Sequence, residues 1–134
     1  MVTTFEVSPV LGTRDVRALA AYFVDQLGFT CDPEDGIFEG ADGSEGAVYA
    51  IVVRGDARFH LQIRRHDVWP PGGREDIEGD AYVFVDDAYA LFEEYERRGV
   101  PVHRPISVAP YGMADFVVLT PEGHRLCFGS PVES

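Results

Sequence analysis

The side chains that could do chemistry in this chain are few. Four histidines (His60, His66, His103 and His124) and two cysteines (Cys31 and Cys127) stand beside 23 acidic residues. A catalytic divalent metal needs about three converging His, Asp or Glu ligands. The sequence carries no HExxH run, CxxC pair or phosphate loop that would announce one by spacing. A nucleophilic Cys127 would need a base beside it, and no triad order is visible; as a small apolar residue it fits a core or cavity wall. His60 is placed differently. In ARFHLQIR (57–64) the residues Phe59, Leu61 and Ile63 alternate with His60 and Gln62. His60 and Gln62 therefore share one strand face, where they would line a cavity or find a hydrogen-bond partner. His66 and His103 read as solvated, and His124 as a turn residue.

The elements that must position these groups follow from periodicity. Asp15 stands where an N-cap would, and Val16, Leu19, Ala20, Phe23 and Leu27 follow at helical spacing. Gly28 is placed for a left-handed C-cap. Before the helix, Phe5–Leu11 alternate loosely around Pro9, which suits an edge or a strand start. Residues 31–46 change to Asp, Glu, Gly and Pro around the apolar pair Ile37 and Phe38, a loose strand or loop. Ala47–Val53 and Arg58–Arg64 form a hairpin across the RGDA turn. Residues 65–80, with paired prolines and glycines after Trp69, are a linker, and Trp69 itself reads as a packing anchor in preference to an overhang above a cleft. Ala81–Val85 is then a strand. Asp86 or Asp87 caps a second helix with Ala88, Leu91, Phe92 and Tyr95 inward, ended by Gly99. Val102–Val108, Met113–Leu119 and Arg125–Gly129 are further strands, the last two a hairpin through TPEGH (120–124).

The plan therefore occurs twice. From Asp15 to Gly28 is 28 − 15 = 13 positions, and from Asp86 to Gly99 is 99 − 86 = 13. Each half reads strand, helix, then two or three strands, which argues for two modules (5–64 and 81–130) within one domain of 134 residues. Formal net charge is −12, so nucleic acid and anionic membrane surfaces would be repelled, while a cationic ligand would be favoured wherever carboxylates line a cleft. The same excess also serves simply to keep a protein in solution. No basic leader or apolar run of spanning length is present, and two cysteines are too few for a disulfide framework; a cytoplasmic protein is expected.

A βαβββ module used twice resembles the vicinal oxygen chelate (glyoxalase/bleomycin resistance/dioxygenase) superfamily. PVLGTRDV (9–16) with the helix ending in LGF (27–29) is most similar to the bleomycin resistance proteins. VFVDDAYALFEEY (83–95), the YG turn (111–112) and LTPEGHRLCF (119–128) extend the likeness over nearly the whole chain. The resemblance implies an α+β fold with curved sheet and, as in those proteins, a homodimer that exchanges first strands through an arm at Ser8 and Pro9.

Enzymes of this superfamily carry His and Glu ligands on the first and last strands of each module. Carried over by motif, those positions are Ser8, Asp80 and Cys127, with the fourth near His60 or Gln62. Ser, Asp and Cys with one His or Gln is not a ligand set such enzymes use, so neither metal nor other cofactor is expected, and no catalytic residue is assigned. The resemblance implies instead clefts lined by Phe38, His60, Gln62, Tyr111, Asp115 and Cys127. Tyr111 matches an aromatic residue that stacks on a flat drug ring. Pro33, where the family can carry an aromatic, and the longer segments 41–46 and 66–80 depart from the pattern and weaken the match to bleomycin itself. The expected function is metal-free sequestration of a cationic or aromatic natural product, for instance a glycopeptide-type antibiotic, in drug resistance or self-immunity. The competing expectation is a superfamily enzyme, lyase, isomerase or dioxygenase-like, using an atypical metal site at Asp80 and His60 or metal-independent acid–base chemistry.

Overall fold

A computed structural model of the chain describes residues 2, 4, 6–32, 36–40, 46–64 and 79–132. Pro33, the 41–45 segment, His66, Trp69 and nearly all of the expected linker lie outside the described residues. The described elements run β1 (Val10–Thr13), α1 (Val16–Asp25), β2 (Ile37–Glu39), β3 (Ala47–Arg54), β4 (Ala57–Ile63), β5 (Ala81–Phe84), α2 (Ala88–Arg97), β6 (Val102–Val108), β7 (Met113–Leu119) and β8 (Arg125–Pro131). The chain divides into two compact units, one of residues 1–24 and 28–65, the other of residues 25–27 and 66–134.

The units repeat one topology. In the first, the sheet order is β1-β4-β3-β2; in the second it is β5-β8-β7-β6. In both, the opening strand pairs parallel with the closing strand of its own module, with Val10 opposite His60 and Tyr82 opposite Cys127. The remaining pairings are antiparallel. This is the α+β, twice-used βαβββ arrangement.

One face of each sheet is closed by its own side chains and helix. In the first unit Val16, Leu19, Ala20 and Phe23 of α1 are buried together with Val52, Phe59 and Leu61. Phe23 meets Phe29 and Phe59 at 5.1 Å between ring centroids in each case, within the range aromatic pairs favour. In the second unit Phe92, Tyr95, Phe116 and Phe128 form the equivalent cluster, with Phe116 and Phe128 stacked at 5.6 Å. Tyr95 is fully buried and donates its hydroxyl to the Leu27 carbonyl at 2.8 Å, tying the 25–27 segment into the second unit.

The helix ends obey their sequence signals, with one adjustment. Asp15 Oδ1 accepts the Ala18 N–H at 3.0 Å, and Asp87 Oδ1 accepts the Ala90 N–H at 3.1 Å, so Asp87 and not Asp86 is the second cap. The spacing to Gly99 is thus 99 − 87 = 12, one shorter than in the first module. Gly28 and Gly99 lie at φ +79° and +74°, the left-handed backbone that ends a helix without a Cβ clash. Strand β1 starts later than alternation alone predicts, at Val10. Pro9 has no N–H to give the ladder, and its contribution is a carbonyl that accepts the His60 N–H at 2.9 Å.

Candidate functional site

The sheet face opposite the helix in the second unit carries the densest polar arrangement. Asp115 on β7 is 1% exposed, so its charge must be met internally. Three contacts meet it. Arg104 on β6 forms an ion pair from Nη2 to Oδ1, while its Nη1 donates to the Asp115 carbonyl at 3.1 Å and to Ser107 Oγ at 2.8 Å. Tyr82 on β5 donates its hydroxyl to Oδ2 at 2.9 Å, and Tyr111, in the turn before β7, donates to the same oxygen at 2.6 Å. One carboxylate on β7 thus gathers an arginine and two phenols from two other strands and a turn.

The backbone makes this convergence fit. Tyr82 lies opposite Cys127 in register, Asp115 opposite Gly129, and period-two alternation puts all four on one face. Gly129 is where the phenol crosses. A Cβ built there would meet the Tyr82 hydroxyl at 2.1 Å and Cζ at 2.8 Å. Only glycine leaves room for the ring to lie flat over the strand. Irregular register between β6 and β7 around Arg104 turns that side chain toward Asp115.

The electrostatics follow from those contacts. Burial alone would raise the Asp115 carboxyl, but hydrogen bonds from Tyr111, Arg104 and Tyr82 outweigh it and hold the carboxyl below its usual range. The phenols move the other way. Burial and the bond to the carboxylate push Tyr82 far above an ordinary tyrosine, and the bond to Asp115 followed by burial raises Tyr111. General acid–base groups work best when their pKa lies near the working pH. A depressed carboxylate and two raised phenols are all displaced away from neutrality.

The first unit carries a smaller group on the corresponding face. Tyr49 on β3 bonds His60 Nδ1 through its hydroxyl at 2.7 Å, the two rings meeting edge-on at 5.5 Å. Phe38 on β2, half exposed, stands 6.4 Å from Tyr49, and exposed Gln62 lies opposite Tyr49 in register. Of the residues expected to line a cleft, Phe38, His60 and Gln62 therefore gather in the first unit, and Tyr111, Asp115 and Cys127 in the second. Asp115 occupies a different position from a lining residue, since it lies beneath the tyrosines that reach solvent. Cys127 is buried beside Tyr82 in the ladder. Tyr82, Arg104, Gly129 and Tyr49 were not singled out from sequence. Gly129 ends the strand that the sequence predicts, whereas β8 runs on to Pro131 and places it inside the sheet.

The arm residues behave as a strand entry. Ser8 is half buried beside a groove of about 350 Å³ lined also by Glu6, Val7, Val53, Asp56 and Arg58. Pro9 lies on β4 of its own chain through the His60 bond.

The positions that the resemblance assigns to a metal each have a neighbour in this structure. Asp80 Oδ2 accepts the Arg125 N–H at 2.8 Å, closing the start of β5 onto β8. Cys127 faces Tyr82 across the ladder, and His60 Nδ1 is engaged by Tyr49. Among the described residues no three His, Cys, Asp or Glu side chains converge as a metal would require. Among the described residues, too, no helix is long and apolar enough to cross a membrane. His124, expected as a turn residue, is in the turn but buried, with Nδ1 2.7 Å from Thr120 Oγ1.

Comparison with known proteins agrees with the geometry. The family model described as Glyoxalase/Bleomycin resistance protein/Dioxygenase superfamily matches residues 7–128. Among solved structures, the chain is similar to the bleomycin-binding protein of the bleomycin producer Streptomyces verticillus, solved with copper(II)-bleomycin. Identity is 28% over 100% of both chains, with a TM-score of 0.67. A glyoxalase-related enzyme from Clostridium phytofermentans shares the fold at 19% identity, TM-score 0.74, over 98% of each chain. TioX from Micromonospora sp. ML1 does so at 16%, TM-score 0.65, over 97% and 98%. No curated protein sequence matches the chain.

Proposed function

The chain belongs to the glyoxalase/bleomycin resistance protein/dioxygenase superfamily, and within it we propose a binding protein of the bleomycin-resistance type, which sequesters a cationic or aromatic natural product and confers resistance or self-immunity. The observation that carries this reading is Tyr111. Its ring is 67% exposed, yet its hydroxyl is fixed at 2.6 Å to a buried carboxylate. A large ring held in water at a fixed orientation is a preorganised stacking surface, because the entropy of ordering it has already been spent in folding. Phe38, 6.4 Å from Tyr49, is a second exposed ring, on the first unit. The full-length likeness to a bleomycin-binding protein supports a ligand of that general kind.

The proposal includes a homodimer. Among the described residues strand β1 pairs with β4, so exchange with a second copy would replace each contact by an identical one across the two chains. It also includes a cytoplasmic location. The enzyme alternative has less support: the titrating groups of the second unit are displaced from neutrality, and the inherited metal positions are engaged elsewhere. The test is titration with copper(II)-bleomycin, comparing the wild type with Tyr111→Ala. Stacking of this kind contributes about 0.5–1.5 kcal/mol, so the variant should bind up to about tenfold more weakly.

A further inference from the structure

We propose that the Tyr82 and Tyr111 hydroxyls form an acceptor pair for an N–H donor group of the ligand, an amine, amidine or amide nitrogen, and that Asp115 sets this polarity. The inference rests on the reading of the second unit's face as a ligand site and specifies what the site takes. Each phenol has one proton and two lone pairs. Both protons are directed at Asp115 Oδ2, at 2.9 Å from Tyr82 and 2.6 Å from Tyr111. What the two oxygens have left to offer a ligand is therefore lone pairs. A ligand carboxylate or phosphate placed there would meet acceptors with no proton to share, whereas an N–H group finds acceptors polarised by the carboxylate behind them. Arg104 is turned toward Asp115, with its guanidinium bonded to Asp115 Oδ1, the Asp115 and Pro105 carbonyls and Ser107. Both rings reach solvent, Tyr82 at 38% exposure and Tyr111 more so, and Gly129 is the gap that lets them share one oxygen.

The experiment uses two planar probes of matched shape, benzamidine and benzoate, titrated into the full chain and followed by tyrosine chemical shifts. Benzamidine should saturate at millimolar concentration and benzoate at least about tenfold more weakly, the factor that one hydrogen bond to a charged group supplies. A net charge of −12 favours the cation anywhere on the surface, so the variants carry the result. Tyr82→Phe with Tyr111→Phe should collapse the preference several-fold while circular dichroism stays unchanged. In Asp115→Asn the arginine, a donor only, takes the amide oxygen and leaves the NH₂ facing the phenols. Their protons then turn outward, and the preference should move toward benzoate. A preference that survives the double Phe variant, or no saturable benzamidine binding, overturns the inference. Failure of copper(II)-bleomycin to bind while the probe preference holds would instead sink only the antibiotic reading.

Discussion

Tyr82 lies across Gly129 so closely that a single methyl group on the glycine would fall 2.1 Å from the tyrosine hydroxyl. Gly129 is not at a left-handed turn; its absent side chain is itself the space the phenol occupies. Gly129→Ala should therefore cost about 1–3 kcal/mol, the range for forcing an extra methyl into a filled site. Combining it with Tyr82→Ala should recover much of that loss, because the clash and the ring disappear together. Urea unfolding of the two single variants and the double variant checks the coupling. Additive losses would mean that the ring does not rest on the glycine.

Acid and alkali should act on the same cluster from opposite sides. Asp115 has a folded pKa below its ordinary value, so its contribution to stability is present above the ordinary carboxylate range and is lost as pH falls through the depressed value. Tyr82 and Tyr111 have raised values, so their contribution is present below the ordinary tyrosine pKa and is lost as pH rises through the raised ones. Unfolding midpoints between pH 7 and pH 3 should fall less steeply in Asp115→Asn than in the wild type. Absorbance at high pH should show the tyrosines ionising in separate phases, with Tyr82 and Tyr111 above the ordinary tyrosine range. Ionisation of all of them in one step would contradict the network.

How far the sequence reveals this site depends on which contacts are local. Helix caps, terminating glycines and both hairpins are set by neighbours within a few positions, and Asp15, Gly28, Gly99 and the 120–124 turn appear where their types predict. The choice between Asp86 and Asp87 was beyond sequence, since either side chain can reach a first-turn N–H; the backbone entering α2 decided it. The Tyr82–Asp115–Arg104 constellation was likewise hidden. It depends on a parallel pairing between β5 and β8, strands whose partner residues Tyr82 and Cys127 lie 127 − 82 = 45 positions apart. Register over such a distance is fixed by tertiary packing. Tyr111 and Asp115, four residues apart, were both within reach of the family likeness, but that one anchors the other was not.

The Tyr95 hydroxyl holds the 25–27 segment from inside the second unit's core. Tyr95→Phe keeps the ring and removes only that donor, so a loss of about 1 kcal/mol is expected. Thermal unfolding by calorimetry would reveal it. A variant as stable as the wild type would show that this bond contributes nothing net.

If the β1 arm is exchanged between two copies, sedimentation equilibrium should give about twice the 14.8 kDa of one chain. Replacing Pro9 by Gly, which frees the backbone at the arm's hinge, should raise the monomer fraction on dilution. A clean monomer at every concentration would remove the exchanged arm from the account.

The central claim, as proposed above, is that this protein holds a cationic or aromatic natural product on an exposed tyrosine fixed to a buried carboxylate and releases it unchanged. Calorimetric titration with copper(II)-bleomycin tests it most directly, with the recovered ligand inspected by mass spectrometry. The account predicts saturable binding at micromolar concentration or tighter, weakened up to about tenfold by Tyr111→Ala, and a ligand recovered intact. No saturable heat at micromolar ligand, binding indifferent to Tyr111, or a chemically altered ligand would contradict it.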